Sequence, residues 1–175
     1  LERSETVVRL CERLDCLPLA LELAAARLRT YSSEQLLERL SQRLDLLKGG
    51  RDLEPRQQTL RATLEWSHDL LTAEEQDLFG RLAVFVGGCT LEAAEEVCGA
   101  NVDVLEALAD KSLLHRRDDV PEPRLWMLES IGEFAAERLA SSGGDQELRT
   151  RHARYFREFA ARTNAELRAG EPEEG

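Results

Sequence analysis

Between Leu14 and Leu28 the sequence reads Leu-Asp-Cys-Leu-Pro-Leu-Ala-Leu-Glu-Leu-Ala-Ala-Ala-Arg-Leu, and Pro18 fixes how that stretch can fold. Proline has no N–H to donate and its φ already lies near the helical value, so it suits the first turn of a helix and breaks the middle of one. A helix that begins at Pro18 carries Leu19, Leu21, Leu23, Leu28 and four alanines as far as Thr30 without a breaker. The alanines keep its surface low, which lets another backbone come close.

The flanking segments repeat the helical theme. Residues 3–14 place Val7, Leu10, Cys11 and Leu14 at helical spacing, predicting one apolar face. Ser32-Ser-Glu-Gln35 has the form of a reciprocal helix cap, and Leu36, Leu37, Leu40, Leu44 and Leu47 give the stripe of the helix behind it. This first bundle ends near Lys48. Gly49 to Pro55 is the first clear break, with two glycines, charge and a proline. From Gln57 a further helix buries Leu60, Leu64 and Leu71, with Trp66 large enough to fill a gap between two bundles.

A second cap, Thr72-Ala-Glu-Glu75, opens a helix whose Leu78, Phe79, Leu82 and Val86 are expected to face inward, and Gly87-Gly88 stops it. Thr90 caps a short helix through Val97 and Cys98, and Asn101 or Asp103 begins a third with Val104, Leu105 and Leu108 as its core face. Leu113 to Arg116 and Arg124 to Met127 read as two short strands around a tip from Arg117 to Pro123. Three short helices and a hairpin, in that order, make a winged helix. Glu129 to Ala140 is amphipathic, with Ile131, Phe134, Ala135 and Leu139 on one side. Ser141 to Gly144 is a joint, and a last helix from about Gln146 to Leu167 carries Tyr155, Phe156 and Phe159. Gly170 to Gly175 is expected to fray.

Composition narrows the choice of function. The chain has 175 residues, 42% hydrophobic and only 5% aromatic, so its core must rest on leucine, alanine and valine, which favours helix packing. No apolar run approaches the roughly 18 residues of a membrane span, and no signal peptide is visible, so a cytoplasmic protein is expected. The first residue is Leu1, which reads as a piece cut from a longer protein. A net charge of −11 and a pI of 4.9 oppose binding to nucleic acid, whose affinity comes largely from neutralised phosphates. Cys11, Cys16, Cys89 and Cys98 form no C-x-x-C pair, and His68, His115 and His152 are scattered, so no metal site is expected.

Three segments then line up: Cys16-Leu-Pro-Leu-Ala-Leu21; Leu64-Glu-Trp-Ser-His-Asp-Leu-Leu71 with Leu82-Ala-Val-Phe-Val-Gly-Gly-Cys-Thr-Leu-Glu92; and Trp126-Met-Leu-Glu-Ser-Ile-Gly-Glu-Phe-Ala135. Over about Leu1 to Phe159 this series resembles the STAND nucleotide switches, the NB-ARC-like regulatory ATPases of bacteria, just after their nucleotide-binding core. The resemblance implies a mainly α fold: a helical lid over residues 1–50, a winged-helix domain over 57–140 with one short β-hairpin, and the start of a TPR-like helical region over 145–169. It implies that Pro18, with Leu17 and Leu19, lies on the adenine side of ADP or ATP in the intact parent. It places Met127-Leu128-Glu129 where relatives have Met-His-Asp, whose histidine touches the β-phosphate. It implies as partners a P-loop domain before this segment, helical repeats after it, and a homo-oligomer of the parent. Two positions depart from the pattern: Cys16 stands where the family has glycine, and Leu128, which has no donor, replaces the histidine.

The chain contains no G-x-x-x-x-G-K-[ST] and no apolar strand ending in paired acids. It is therefore expected to be no enzyme by itself and to hold no nucleotide tightly alone. Two further readings remain open. A winged helix can bind DNA, but the expected recognition helix, Asn101 to Lys111, turns Asp103, Glu106 and Asp110 outward. The last helices could instead form a scaffold that takes a protein partner through Tyr155, Phe156 and Phe159. On residue spacing alone, Pro18 starts a helix and Met127 and Leu128 pack.

Overall fold

A computed structural model describes residues 2–14, 16–47, 55–118, 120 and 122–169, without the side chains of 2–4, 41–47, 55–56, 165–167 and 169. The fold is mainly α. Its elements run α1 (Glu2–Arg13), α2 (Pro18–Arg27), α3 (Ser33–Leu47), α4 (Pro55–Asp69), α5 (Ala73–Leu82), β1 (Cys89–Thr90), α6 (Leu91–Cys98), α7 (Val102–Asp110), β2 (His115–Arg117), β3 (Arg124–Trp126), α8 (Glu129–Ser142) and α9 (Asp145–Ala169). They form two compact units. The first holds residues 1–76 and 103–115, the second 77–102 and 116–175, and the division falls inside α5.

In the first unit α3 packs on α1 and on α4, and α4 packs on α2. Leu10, Leu14, Ala20, Ala24, Leu36, Leu40 and Trp66 make one core cluster, with Leu17, Leu21, Tyr31, Leu37 and Leu70 against it. Trp66 therefore lies in the same core as α1–α3, its ring 6.4 Å from that of Tyr31. The break at residues 48–54 lies outside the described residues. Val7, expected on the apolar face of α1, is exposed.

The helix starts follow local chemistry. Ser32 Oγ accepts from the Gln35 amide at 3.3 Å while Gln35 Oε1 accepts from the Ser32 amide at 3.1 Å. Thr90 Oγ1 accepts from the Ala93 amide at 3.2 Å, a cap worth about 1 kcal/mol. At the other end of α4, the Gln76 side-chain amide donates to the carbonyl of His68 (3.0 Å), in the last turn, and to that of Leu71 (3.4 Å), just past the helix.

In the second unit α9 packs on α6 and α8, and Phe79 of α5 meets Phe134 of α8 with centroids 6.2 Å apart. Three strands form one sheet in the order β1-β3-β2, with Cys89 opposite Leu125 and Thr90 opposite Arg124 in antiparallel register. Strand β1 is an addition to the expected hairpin, and β2 starts later than expected, because Leu113 and Leu114 are buried in the turn after α7. Phe85 is inside and Val86 is almost fully exposed, the reverse of the expected phase.

Candidate regulatory site

The residues predicted to face a nucleotide fall in different units, and each group has its own geometry. Leu17 is the N-cap of α2, with φ −70° and ψ 123°, and its carbonyl accepts from the Leu21 amide at 2.9 Å. Pro18 occupies the first helical turn, as its ring requires. It is exposed, between half-buried Leu17 and Leu19.

Cys16 has φ +51°. Its amide still donates to the Cys11 carbonyl at 2.9 Å, and the Leu17 amide to the Leu14 carbonyl at 3.0 Å. The chain thus makes the left-handed turn that glycine makes easily, with a side chain in place.

Met127 and Leu128 are half-buried and Glu129 is exposed. Leu128 is the N-cap of α8 and makes no side-chain cap; its carbonyl accepts from the Gly132 amide at 2.8 Å. The side chains at 128 and 129 are therefore an apolar group and a carboxylate. Neither offers a hydrogen-bond donor, and Glu129 supplies the negative charge that the start of α8 favours.

The α7–hairpin region is tied inward. Asp103, Glu106 and Asp110 are exposed on α7, as expected. Asp110 sits 3.5 Å from Arg29, just past the end of α2, and Lys111 pairs with the buried carboxylate of Glu75 at the start of α5. In the hairpin, Arg116 Nε donates to Asp118 at 2.6 Å and Arg124 Nη2 donates to the Gly88 carbonyl at 2.9 Å. Arg116 and Arg124 thus have a carboxylate and a carbonyl partner.

Spacing marked Glu75 only as the cap partner of Thr72 and did not single out Arg27; the pairing of Glu75 with Lys111 and the burial of Arg27 appear only in the structure. Burial pushes the Glu75 carboxyl up, but the hydrogen bond and charge of Lys111, with the Thr72 amide and hydroxyl, outweigh it and hold the group below the ordinary glutamate range. Burial lowers the Arg27 guanidinium, opposed by the charges of Glu75 and Tyr31. The contacts of Glu75 with Lys111 and of Arg27 with Ser67 span 36 and 40 residues, so no local pattern announces them.

On α9, Tyr155 is buried while Phe156 and Phe159 stay exposed; Phe85 meets Phe156 edge-on and His152 lies tilted against it, with centroids 6.4 and 4.7 Å away. Cys89 and Cys98 are buried thiols. Burial pushes Cys89 up to about 11 and Cys98 up to about 12, where both stay protonated. Among the described residues no group of three His, Cys, Asp or Glu side chains could hold a metal ion, and no helix is long and apolar enough to cross a membrane.

No family model matches the chain. It is similar to the "Putative HTH-type transcriptional regulator Rv0890c" of Mycobacterium tuberculosis, with 42% identity over 166 residues that make up 90% of this chain and 19% of that protein. The "Putative HTH-type transcriptional regulator Mb0914c" of Mycobacterium bovis matches to the same extent. The "Uncharacterized protein Rv0894" of M. tuberculosis is 37% identical over 176 residues, 94% of this chain and 43% of that protein. The chain thus spans 19% of the length of the regulators it matches.

Proposed function

We propose that this chain is the regulatory segment of a cytoplasmic transcriptional regulator, and that within it the segment acts as a clasp over ADP or ATP held by a P-loop domain of the same protein. The names of the similar mycobacterial proteins support the first half. The observation that carries the second half is the anchoring of α7: the helix that would read DNA in a winged helix has its C-terminal end tied to Arg29 and Glu75. Exposed Pro18, flanked by Leu17 and Leu19, is the proposed edge against adenine. Packing, and no direct bond from Leu128, is the proposed means of holding the β-phosphate side closed. Helical repeats following α9 and a homo-oligomer of the open form complete this reading.

The test uses the full-length regulator. Pro18→Ala should weaken ADP binding about tenfold, the effect of losing one apolar contact of about 1.4 kcal/mol. Unchanged affinity and oligomeric state in Pro18→Ala would sink the adenine-side role.

A second reading, a winged helix that itself binds DNA, is favoured by the names of the similar proteins. The exposed carboxylates Asp103 and Glu106 on α7 oppose it, because they would face phosphates. A random duplex retarded by this chain at low salt and released at high salt would establish the second reading in place of the first.

A further inference from the structure

Glu75 joins three parts of the chain through one carboxylate. Its Oε2 accepts from the Thr72 amide at 2.8 Å and its own amide donates to Thr72 Oγ1 at 3.3 Å, closing the reciprocal cap of α5. Its Oε1 accepts from Lys111 Nζ. Its charge also acts on Arg27, in the last turn of α2. The side chain is only 8% exposed, so water does little to replace these partners.

Lys111 stands directly after the last residue of α7, where unsatisfied carbonyls favour a cation. Beyond it the backbone turns left-handed at Ser112 (φ +57°), and the Leu113 amide closes onto the Leu108 carbonyl at 3.0 Å. Leu108, Leu113 and Leu114 are buried around this turn. The tie at Lys111 therefore holds one end of α7, and Asp110 beside it reaches only exposed Arg29. An exposed pair of that kind contributes little, whereas a buried pair that loses one charge leaves the other uncompensated.

The two duties of Glu75 are chemically separable. A helix cap of this type is made equally by glutamine, which keeps the acceptor oxygen. The pairing with Lys111 needs the charge. We infer that Glu75 is the release point of a latch: its carboxylate holds the C-terminal end of α7 to the start of α5, and neutralising it frees α7 while α5 stays capped. The latch gives the proposed clasp a defined place at which to open, and it rests on that reading for what the opening serves. Its chemistry rests on the Glu75 contacts alone.

Hydrogen exchange of the whole chain, read peptide by peptide, tests it in Glu75→Gln, Lys111→Met and the double variant. Each single variant should speed exchange over 103–113 about tenfold, the double should be no faster than either single, and peptides from α3 and α6 should keep their wild-type rates. Unchanged exchange over 103–113, equal acceleration in every peptide, or additive effects in the double variant would each overturn the latch. Lys111→Met keeps Glu75 and its cap intact, so the measurement survives if Glu75→Gln folds poorly. Because no nucleotide is present, failure here leaves the adenine-side role of Pro18 to be decided by its own binding test.

Discussion

Arg27 donates from Nη2 to the backbone carbonyl of Ser67, 2.9 Å away and 40 residues along the chain, with both residues buried. The bond ties the last turn of α2 to α4. It is possible because Ala20 and Ala24, on the same buried face of α2, keep that face low. Arg27 Nε has no partner among the described residues, so the guanidinium is held by one strong bond and by the charge of Glu75.

Replacing that guanidinium while keeping its apolar stem isolates the bond. Arg27→Met should lower unfolding stability by about 2 kcal/mol, since it removes a charge-assisted bond and leaves Glu75 with less compensation. Urea titration of the variant against the parent chain reads the shift in midpoint. A loss below about 0.5 kcal/mol would mean that burying the charge costs as much as its contacts return.

Among the described glycines, Gly88 has the tightest requirement. Its φ is +92°, and a Cβ there would stand 2.4 Å from the Leu125 carbonyl oxygen and 2.9 Å from Trp126 Cβ. Gly88→Ala should therefore push β1 from β3 and cost about 3 kcal/mol or more, combining backbone strain with a steric clash. Gly87→Ala, which meets nothing within 4 Å, pays only the strain of its φ of +87°. A thermal melt that ranks the two variants the other way round would contradict this register.

Cys16 is the opposite case. With φ +51° it occupies a left-handed conformation that an L side chain adopts at a cost of about 1–2 kcal/mol. Glycine relieves that strain but adds freedom to the unfolded chain, so Cys16→Gly should raise stability by a net of about 0.5 kcal/mol. Denaturation of the two chains under reducing conditions decides it.

The linkage at Glu75 has a definite sign. Its folded carboxyl titrates below the ordinary glutamate range, so the unfolded chain binds more protons as the pH falls through that range. The stabilisation is complete above the unfolded value and disappears as the pH drops through the folded one. The stability gap between the parent chain and Glu75→Gln should therefore be largest near about pH 7 and shrink toward about pH 3. A gap that widens on acidification would reverse the assignment.

The caps at Ser32, Thr72 and Thr90 were legible because each is a contact across three residues. The buried faces of α7 and α8 were legible for a similar reason, their helical period being unbroken: Leu105 and Leu108, Ile131 and Phe134 are inside. The period fails at Val86 because α5 ends at Leu82 and the chain tightens into three-residue turns. The amides of Ala83, Val84 and Phe85 donate to the carbonyls of Gly80, Arg81 and Leu82. That change of pitch turns Phe85 inward and Val86 out. Strand β1 escaped notice because two residues cannot display an alternation. At the candidate site, Pro18 announced the start of α2, while its exposure depends on packing that no local pattern encodes. The Arg27–Ser67 and Glu75–Lys111 contacts span 40 and 36 residues, beyond any periodic signal.

One carboxylate that both caps α5 and binds Lys111 makes positions 75 and 111 mutationally interdependent. Glutamine at 75 keeps the first task and abandons the second; aspartate, one methylene shorter, strains both. Tolerated change at either position therefore calls for a compensating change at its mate, and descendants of this sequence should lose or retain the two charges together.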